Sequence, residues 1–371
     1  MKKLFIVVNV DSFFLSHRLP IALEAKKQGY DVTIVCANTG CKEEIENYGL
    51  SFIEVPFERS GTNFFHELKC ICLLHKLYRK HKPNIIHHVT LKVCLLGSLA
   101  AKIVGQRNVV NAISGLGYNF IEGRNGLPQR LIRHMFPIAF KSKTFHFILQ
   151  NRDDVDFISN MNLVPSENIV LIKGSGVDLK EYSYTELPQT GKLQFLLPAR
   201  MLFDKGLSEF IEAANILKSK IADKAEFILS GDCDLENLAA IKPDELEKKV
   251  DNDYIKWIGF QKNILPVYQQ SSVVVLPSYR EGLPKSLIEA CAIGRPIITT
   301  NVPGCRECVV DGYNGRIVEA KNADALASAI LEFVENKHLL KQYSQNSRII
   351  AEKEFSIENV IKKTIEIYDK L

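Results

Sequence analysis

The sequence predicts an α/β protein of two tandem doubly wound, Rossmann-like domains, and three observations predict it. The chain has 371 residues, about twice an ordinary domain, with 46% hydrophobic and 24% charged residues, enough apolar material for two cores. Short β-branched runs alternate with longer amphipathic stretches, the βαβ pattern of a parallel sheet covered on both faces. Near the middle, a stretch rich in proline, threonine and glycine from Tyr184 to Gly191 breaks the alternation and reads as a linker.

In the first half the strands are expected at Leu4–Val8, Val32–Cys36, Phe52–Val55, Asn84–His87, Val109–Ile113, Phe145–Leu149 and Ile169–Ile172. Pro20–Gln28 and Phe64–Lys80 have helical spacing between them. The pattern restarts with strands at Phe195–Leu197, Ala225–Leu229, Ile255–Ile258, Val273–Leu276 and Pro296–Thr299. The expected division is residues 1–178 for the first domain, 190–352 for the second, and 353–371 as a helix returning to the first. Domains of this kind carry ligand loops at the carboxyl ends of their strands, so two of them facing one another would make a cleft.

The charge is uneven. Residues 1–180 hold 23 basic against 15 acidic side chains, whereas residues 181–371 hold 24 against 28. Between Leu68 and Phe147 there are 13 basic residues and one acid, Glu122, which implies an anionic partner. Two segments combine charge with apolar residues. Phe64–Lys82 sets Lys69, Lys76, Arg79, Lys80 and Lys82 beside Leu68, Ile71, Leu74 and Leu77, a stripe best read as a core face. Leu127–Phe147 sets Arg130, Arg133, Lys141 and Lys143 among Leu131, Ile132, Met135, Phe136 and Phe140, the better candidate for an anionic membrane surface. Nucleic acid is disfavoured because the basic region is expected to lack interleaved exposed aromatics and carries no recognisable reading motif.

No run is apolar and uncharged for long enough to span a bilayer, and Leu4–Val8 is too short for a secretory core, so the expected place is the cytoplasm. Nine cysteines in mostly apolar settings suit reduced thiols. Cys305 and Cys308 form a single C-x-x-C with no second pair at zinc spacing, and Asp232-Cys233-Asp234 lacks further carboxylates, so neither metal nor cofactor is expected.

Two segments carry chemistry. In Pro277–Ala290 a strand passes through Ser278, Glu281, Gly282, Leu283 and Pro284 into a helix that bears Glu289. Glycine allows close backbone approach, proline suits a helix start, and such a start attracts a diphosphate. In Pro198–Gly206 a strand ends in Arg200, and Lys205 follows at a helix start, a pairing suited to a diphosphate that gains charge as it leaves.

These residues, with Gly174–Asp178, Gly304–Glu307 and Asp311–Gly315, resemble glycosyltransferase family 4 over nearly the whole chain. The resemblance implies the GT-B fold and metal-free transfer that retains the anomeric configuration. It implies Arg200, Lys205 and Glu281 as the catalytic set, the first two on the diphosphate and Glu281 on the donor sugar. Glu289 would then bind the ribose, with Ser278, Gly282, Leu283 and Pro284 completing the donor site. Ser16–Pro20 and Ser114–Tyr118 are similar to bacterial transferases that extend undecaprenyl-diphosphate-linked sugars from UDP-sugars, which implies a nucleotide-sugar donor and a lipid-linked saccharide acceptor. Ser16, His17, Arg18, His88, Ser114 and Gly115 are the expected acceptor residues. The loop Asn9–His17 lacks the family's glycine pair, and Ala112–Gly115 stands where many members place a histidine.

Other classes fit less well. A nucleotide-sugar epimerase of GT-B fold would share the donor loops. A dinucleotide-dependent dehydrogenase would need a G-x-G-x-x-G after a first strand, and none is present.

Overall fold

The computed structural model describes residues 1–371 apart from 59–62, 117–126, 190, 236 and 238, and apart from the side chains of 127–133. The expectations placed on Gly117, Tyr118, Arg130, Leu131, Ile132 and Arg133 therefore lie outside the described residues. The chain folds as two units, one of Met1–Ser175 with Ile357–Leu371 and the other of Gly176–Ser356.

The first unit holds a seven-stranded sheet of β1 (Lys3–Val10), β2 (Asp31–Ala37), β3 (Ser51–Glu54), β4 (Ile85–Val89), β5 (Val109–Ile113), β6 (His146–Leu149) and β7 (Ile169–Leu171). Their order is β3-β2-β1-β4-β5-β6-β7, and every pair is parallel. Alternate residues of β1 feed two cores, Phe5 and Val7 one and Leu4, Ile6 and Val8 the other. Burial on both faces is why these strands read as unbroken apolar runs. The helix Ile357–Asp369 adds Val360, Ile365, Ile367 and Tyr368 to the second core. There the Tyr368 hydroxyl lies 2.5 Å from His87 Nδ1, and the Tyr30 hydroxyl donates to Asp369 at 3.3 Å.

The second unit holds β8 (Leu193–Pro198), β9 (Ala225–Ser230), β10 (Ile255–Trp257), β11 (Val273–Leu276), β12 (Ile297–Thr300) and β13 (Gly315–Val318), in the parallel order β10-β9-β8-β11-β12-β13. The edge strand β13 is absent from the sequence expectation. It is short, and it depends on Gly315, where an added Cβ would stand 1.9 Å from the Ile297 carbonyl oxygen.

The stretch read as a linker is fastened to this unit. Arg295 is wholly buried, and its guanidinium donates to the carbonyl oxygens of Thr185 and Glu186 and to Thr185 Oγ1. Burial lowers its pKa to about 10, still leaving a cation to hold these carbonyls. Tyr184 packs over Gly294, where a Cβ would come within 2.5 Å of the ring.

Strand order reverses direction beside β1 in the first sheet and beside β8 in the second. At such a switch the loops leaving neighbouring strands diverge and open a crevice at the carboxyl ends. The relevant loops follow β1 and β4 in one unit, and β8 and β11 in the other. No helix of the described residues is long and apolar enough to cross a membrane.

Candidate active site

In the second unit the expected donor residues converge on one switch point. After β8 the chain makes a tight turn over Phe203–Lys205 and enters the helix Leu207–Ile221 through Gly206, which has φ +76°. A side chain there would place its Cβ 2.2 Å from the Pro277 carbonyl oxygen, so glycine lets the loop after β8 press onto the end of β11. The Tyr279 N–H donates to the Asp204 carbonyl at 2.9 Å across that seam. As a result Lys205 Nζ lies 2.5 Å from Glu281 Oε1.

Glu281 is held from three sides. Its Oε1 also accepts from Ser278 Oγ at 2.8 Å, and its N–H donates to the Pro303 carbonyl at 3.1 Å. Gly304, at φ +81°, permits this approach, because a Cβ would sit 2.6 Å from the carbonyl oxygens of Glu281 and Gly282. Thr300 Oγ1 donates to the Ser278 carbonyl at 2.5 Å, which ties in the end of β12. Leu283 and Pro284 are buried, and the helix Lys285–Ile293 begins after Pro284 without a side-chain cap.

Arg200 is partly exposed and ion-pairs with Asp234. Asp234 belongs to the D-x-D sequence, whose other acid, Asp232, accepts from the Phe260 N–H at 3.1 Å. Both carboxylates are thus engaged within the unit. Among the described residues no group of three or more His, Cys, Asp or Glu side chains is arranged to hold a metal ion, and all nine cysteines are free thiols. Cys305 is fully buried, and burial followed by the Glu281 charge pushes its thiol up to about 12.

Glu289 stands apart from Glu281 and is only 6% exposed. Tyr268 donates to its Oε2 at 3.3 Å, and Lys285 Nζ lies 3.4 Å from Oε1. Burial raises its pKa, with Lys285 opposing the rise. Sequence reasoning did not name Asp204, Asp234, Tyr268 and Pro303 as partners of this site. Asp204 stands beside Lys205 and Asp234 in the D-x-D sequence, whereas Tyr268 and Pro303 reach it from elements that no local spacing links to it. Asp204 has one buried carboxylate oxygen without a partner, and burial raises its pKa.

In the first unit the expected acceptor residues are not brought together as one set. Ser16 and His17 lie on the short helix Asp11–His17, with Ser16 Oγ 2.7 Å from His17 Nδ1 and the His17 ring stacked on Phe13. Asp11 anchors this helix by accepting from the N–H groups of Thr39 and Cys41 at 2.7 and 2.9 Å. Arg18 is not a surface cation: it is buried, donates to the His17 carbonyl at 2.9 Å, and burial lowers its pKa to about 10.

His88 is likewise corrected from acceptor ligand to core residue. It is fully buried, with Nε2 2.9 Å from the Tyr78 hydroxyl and Nδ1 3.0 Å from Asn111 Oδ1, and Gly97 lies against its ring. Both ring nitrogens are occupied, and burial holds its pKa at about 4, so it stays neutral. Ser114 and Gly115 do lie at the carboxyl end of β5, half-buried, with Gly115 at φ +121°.

Two parallel-sheet units, with a cation and carboxylate cluster at the switch point of the second, define an α/β protein of doubly wound type whose candidate site lies at strand ends. Residues 180–349 match the model of glycosyl transferases group 1, and residues 3–151 match glycosyl transferase 4-like. The chain belongs to this family of glycosyltransferases. It is 27% identical to the N,N'-diacetylbacillosaminyl-diphospho-undecaprenol alpha-1,3-N-acetylgalactosaminyltransferase of Campylobacter jejuni, over 96% of this chain and 98% of the relative. It is 24% identical to the UDP-Gal:alpha-D-GlcNAc-diphosphoundecaprenol alpha-1,3-galactosyltransferase of Escherichia coli, over 91% and 89%. HepE of Anabaena, solved in complex with UDP, superposes with a TM-score of 0.78 at 18% identity over 100% of both chains, which shows a shared fold, the GT-B class. The epimerase alternative finds no support among these relatives.

Proposed function

We propose that this glycosyltransferase moves a sugar from a UDP-sugar to a saccharide carried on a lipid diphosphate, with retained anomeric configuration and without a metal ion. The observation that carries the reading is the meeting of Lys205, Ser278 and Glu281 at the adjoining ends of β8 and β11, with Arg200, paired to Asp234, on the same loop as Lys205. A diphosphate gains negative charge as the glycosidic bond breaks, and two preplaced cations stabilise that charge most in the transition state. Glu281, fixed by Lys205 and Ser278, is placed to accept from sugar hydroxyls. Support for the donor comes from HepE, solved with UDP, and for the acceptor from the two bacterial relatives, whose names specify undecaprenol-diphosphate-linked sugars.

Such an acceptor lies at a membrane, and the reading includes peripheral attachment to the anionic cytoplasmic face. Phe136 and Phe140 are wholly buried, which weakens the segment 127–147 as the docking surface. The helix Phe64–His81 supports it better. Leu74 is buried, but Phe64, Phe65 and Leu68 are exposed on its first turns, and Lys69, Lys76, Arg79 and Lys80 are exposed behind them. Exposed aromatics with cations on one helix suit an interface, and each cation near an anionic surface contributes about 1 kcal/mol.

The test is incubation with labelled UDP-sugars and undecaprenyl-diphosphate-linked saccharides in the presence of EDTA, with label counted in the organic phase and the new linkage read by NMR. Chelator-resistant transfer with an α linkage from an α-linked donor is expected. Loss of activity on chelation with rescue by Mg²⁺ or Mn²⁺, an inverted linkage, or no label in the organic phase would each overturn the corresponding part. For attachment, replacing Phe64 and Phe65 by Ser and the four cations by Gln should abolish sedimentation with phosphatidylglycerol vesicles. Unchanged sedimentation would refute it.

A further inference from the structure

Tyr279 stands two residues before Glu281 on the loop that follows β11, and it is fastened to three other parts of the second unit. Its N–H donates to the Asp204 carbonyl at 2.9 Å, in the turn after β8. Its hydroxyl donates to Glu209 Oε1 at 2.7 Å, in the first turn of the helix Leu207–Ile221. Lys321, just beyond β13, places its Nζ 5.0 Å from the centre of the ring, within reach of a cation–π contact.

Glu209 is an unusual residue to find there. It is only 9% exposed, its Oε2 is shielded and without a partner, and among the described residues no lysine, arginine or histidine forms an ion pair with it. A carboxylate withdrawn from water without a counterion is costly, and an apolar side chain would pack in its place at lower cost. Its position in the first turn of a helix offsets part of that cost. The Tyr279 hydroxyl offsets more, through a bond that the charge strengthens. What an apolar residue would lose is that bond.

The bond matters because Lys205 and Glu281 belong to different loops, and their meeting depends on how those loops are set against one another. Gly206 lets the two backbones touch, yet contact alone does not fix their register. The helix Leu207–Ile221 is the firm element here, packed into its core by Phe210, Ala213, Ala214 and Leu217. Through Glu209 and Tyr279 its position is passed to the loop that carries Ser278 and Glu281. Catalysis by preplaced charges is sensitive to shifts of about 1 Å. We infer that Tyr279 and Glu209 are positioning residues for the transfer, a strut that sets Glu281 against Lys205. The inference rests on the proposed glycosyl transfer and names residues that hold its charges in place.

Tyr279→Phe removes the hydroxyl and keeps the ring under Lys321. Glu209→Leu removes the acceptor, and Glu209→Gln keeps one. With the UDP-sugar and lipid-linked saccharide that the wild type uses, Tyr279→Phe and Glu209→Leu should each lower kcat by about tenfold or more, the scale of one lost hydrogen bond to a charged group. The KM for the UDP-sugar should move by less than about threefold, because the preplaced charges act most in the transition state. Glu209→Gln should stay within about threefold of the wild-type kcat. Joining Tyr279→Phe to Glu209→Leu should lower kcat no further than the worse single change, since both break the same bond. All rates are taken at a temperature where circular dichroism shows each variant folded, which separates positioning from stability. Wild-type kcat in both Tyr279→Phe and Glu209→Leu, a loss confined to the melting temperature, or losses that multiply in the double variant overturns the strut while leaving the transferase reading standing. Failure of the folded wild type to transfer from any UDP-sugar overturns that reading and the strut with it. Should Tyr279→Phe not fold, Glu209→Leu and Glu209→Gln decide: a loss in the first that the second does not share supports the strut, and equal kcat in the two overturns it.

Discussion

The carboxyl ends of the two sheets satisfy their polar groups in opposite ways. In the second unit Arg200 pairs with Asp234, Lys205 with Glu281 and Lys285 with Glu289. In the first unit the polar atoms near the strand ends that lack a partner, Asn9 Oδ1, Thr90 Oγ1 and Ser114 Oγ, are all neutral. A charge withdrawn from water without a counterion is far costlier than a lone hydroxyl, so a site built of cations carries its own carboxylates while waiting for an anion. The paired charges of the second unit fit the proposed diphosphate site, where binding would exchange one ionic partner for another.

The largest expected effect comes from removing the cations. Arg200→Ala and Lys205→Ala should each lower turnover by at least about a hundredfold while leaving the fold intact, the scale of one charge-stabilising donor. Near-normal turnover in both would mean that the paired edge is structural only, and the comparison would fail.

Next in size is the response to pH, which should differ in sign between His88 of the first unit and Glu289 of the second. His88 has an ordinary pKa of 6.5 and about 4 in the folded chain, with burial the cause. Below pH 6.5 the unfolded chain takes up a proton that the folded chain refuses. Stability present above that pH is therefore lost as pH falls toward 4, on the order of 3 kcal/mol in all. Glu289 runs the other way: burial raises its pKa above 4.5, the folded chain holds the proton longer, and stability is lost as pH rises from 4.5 through the raised value. Hydrogen exchange resolved by unit should show a shallower acid slope for the first unit in His88→Gln. The second unit should show a shallower loss with rising pH in Glu289→Gln. Identical slopes in variant and wild type would contradict the burial of these groups.

The smallest effect sharpens the exchange of partners. If Asp234 occupies Arg200 until a diphosphate arrives, Asp234→Asn should tighten UDP binding severalfold, as expected for an exposed ion pair worth about 1 kcal/mol or less. Calorimetric titration with UDP reads it directly. Weaker binding would make Asp234 a support for Arg200 and not a competitor.

Much of this was legible in the sequence because both sheets are parallel and buried on both faces, so their strands stand out as apolar runs closed by glycine and proline. The cluster of Lys205, Ser278 and Glu281 was legible for a related reason. Its members sit within a few residues of two strand ends, and local chemistry at a strand end is what spacing can show. The acceptor expectations fared worse. His88 and Arg18 are polar residues the sequence offered for the acceptor, yet one is locked between Tyr78 and Asn111 and the other is buried, with its guanidinium on the His17 carbonyl. Nothing in a linear pattern says whether a histidine at a strand end faces a crevice or the core.

By itself the sequence determined the alternation of strands and helices, the basic bias of the first half, and the glycine and proline turns that set the donor loops, since all depend on neighbours along the chain. Tertiary structure alone decided which charges pair and which histidine is sealed. Pairing and burial depend on what crosses from other strands and loops, and residues 76 positions apart, such as Lys205 and Glu281, meet only when the sheet order brings their strand ends together.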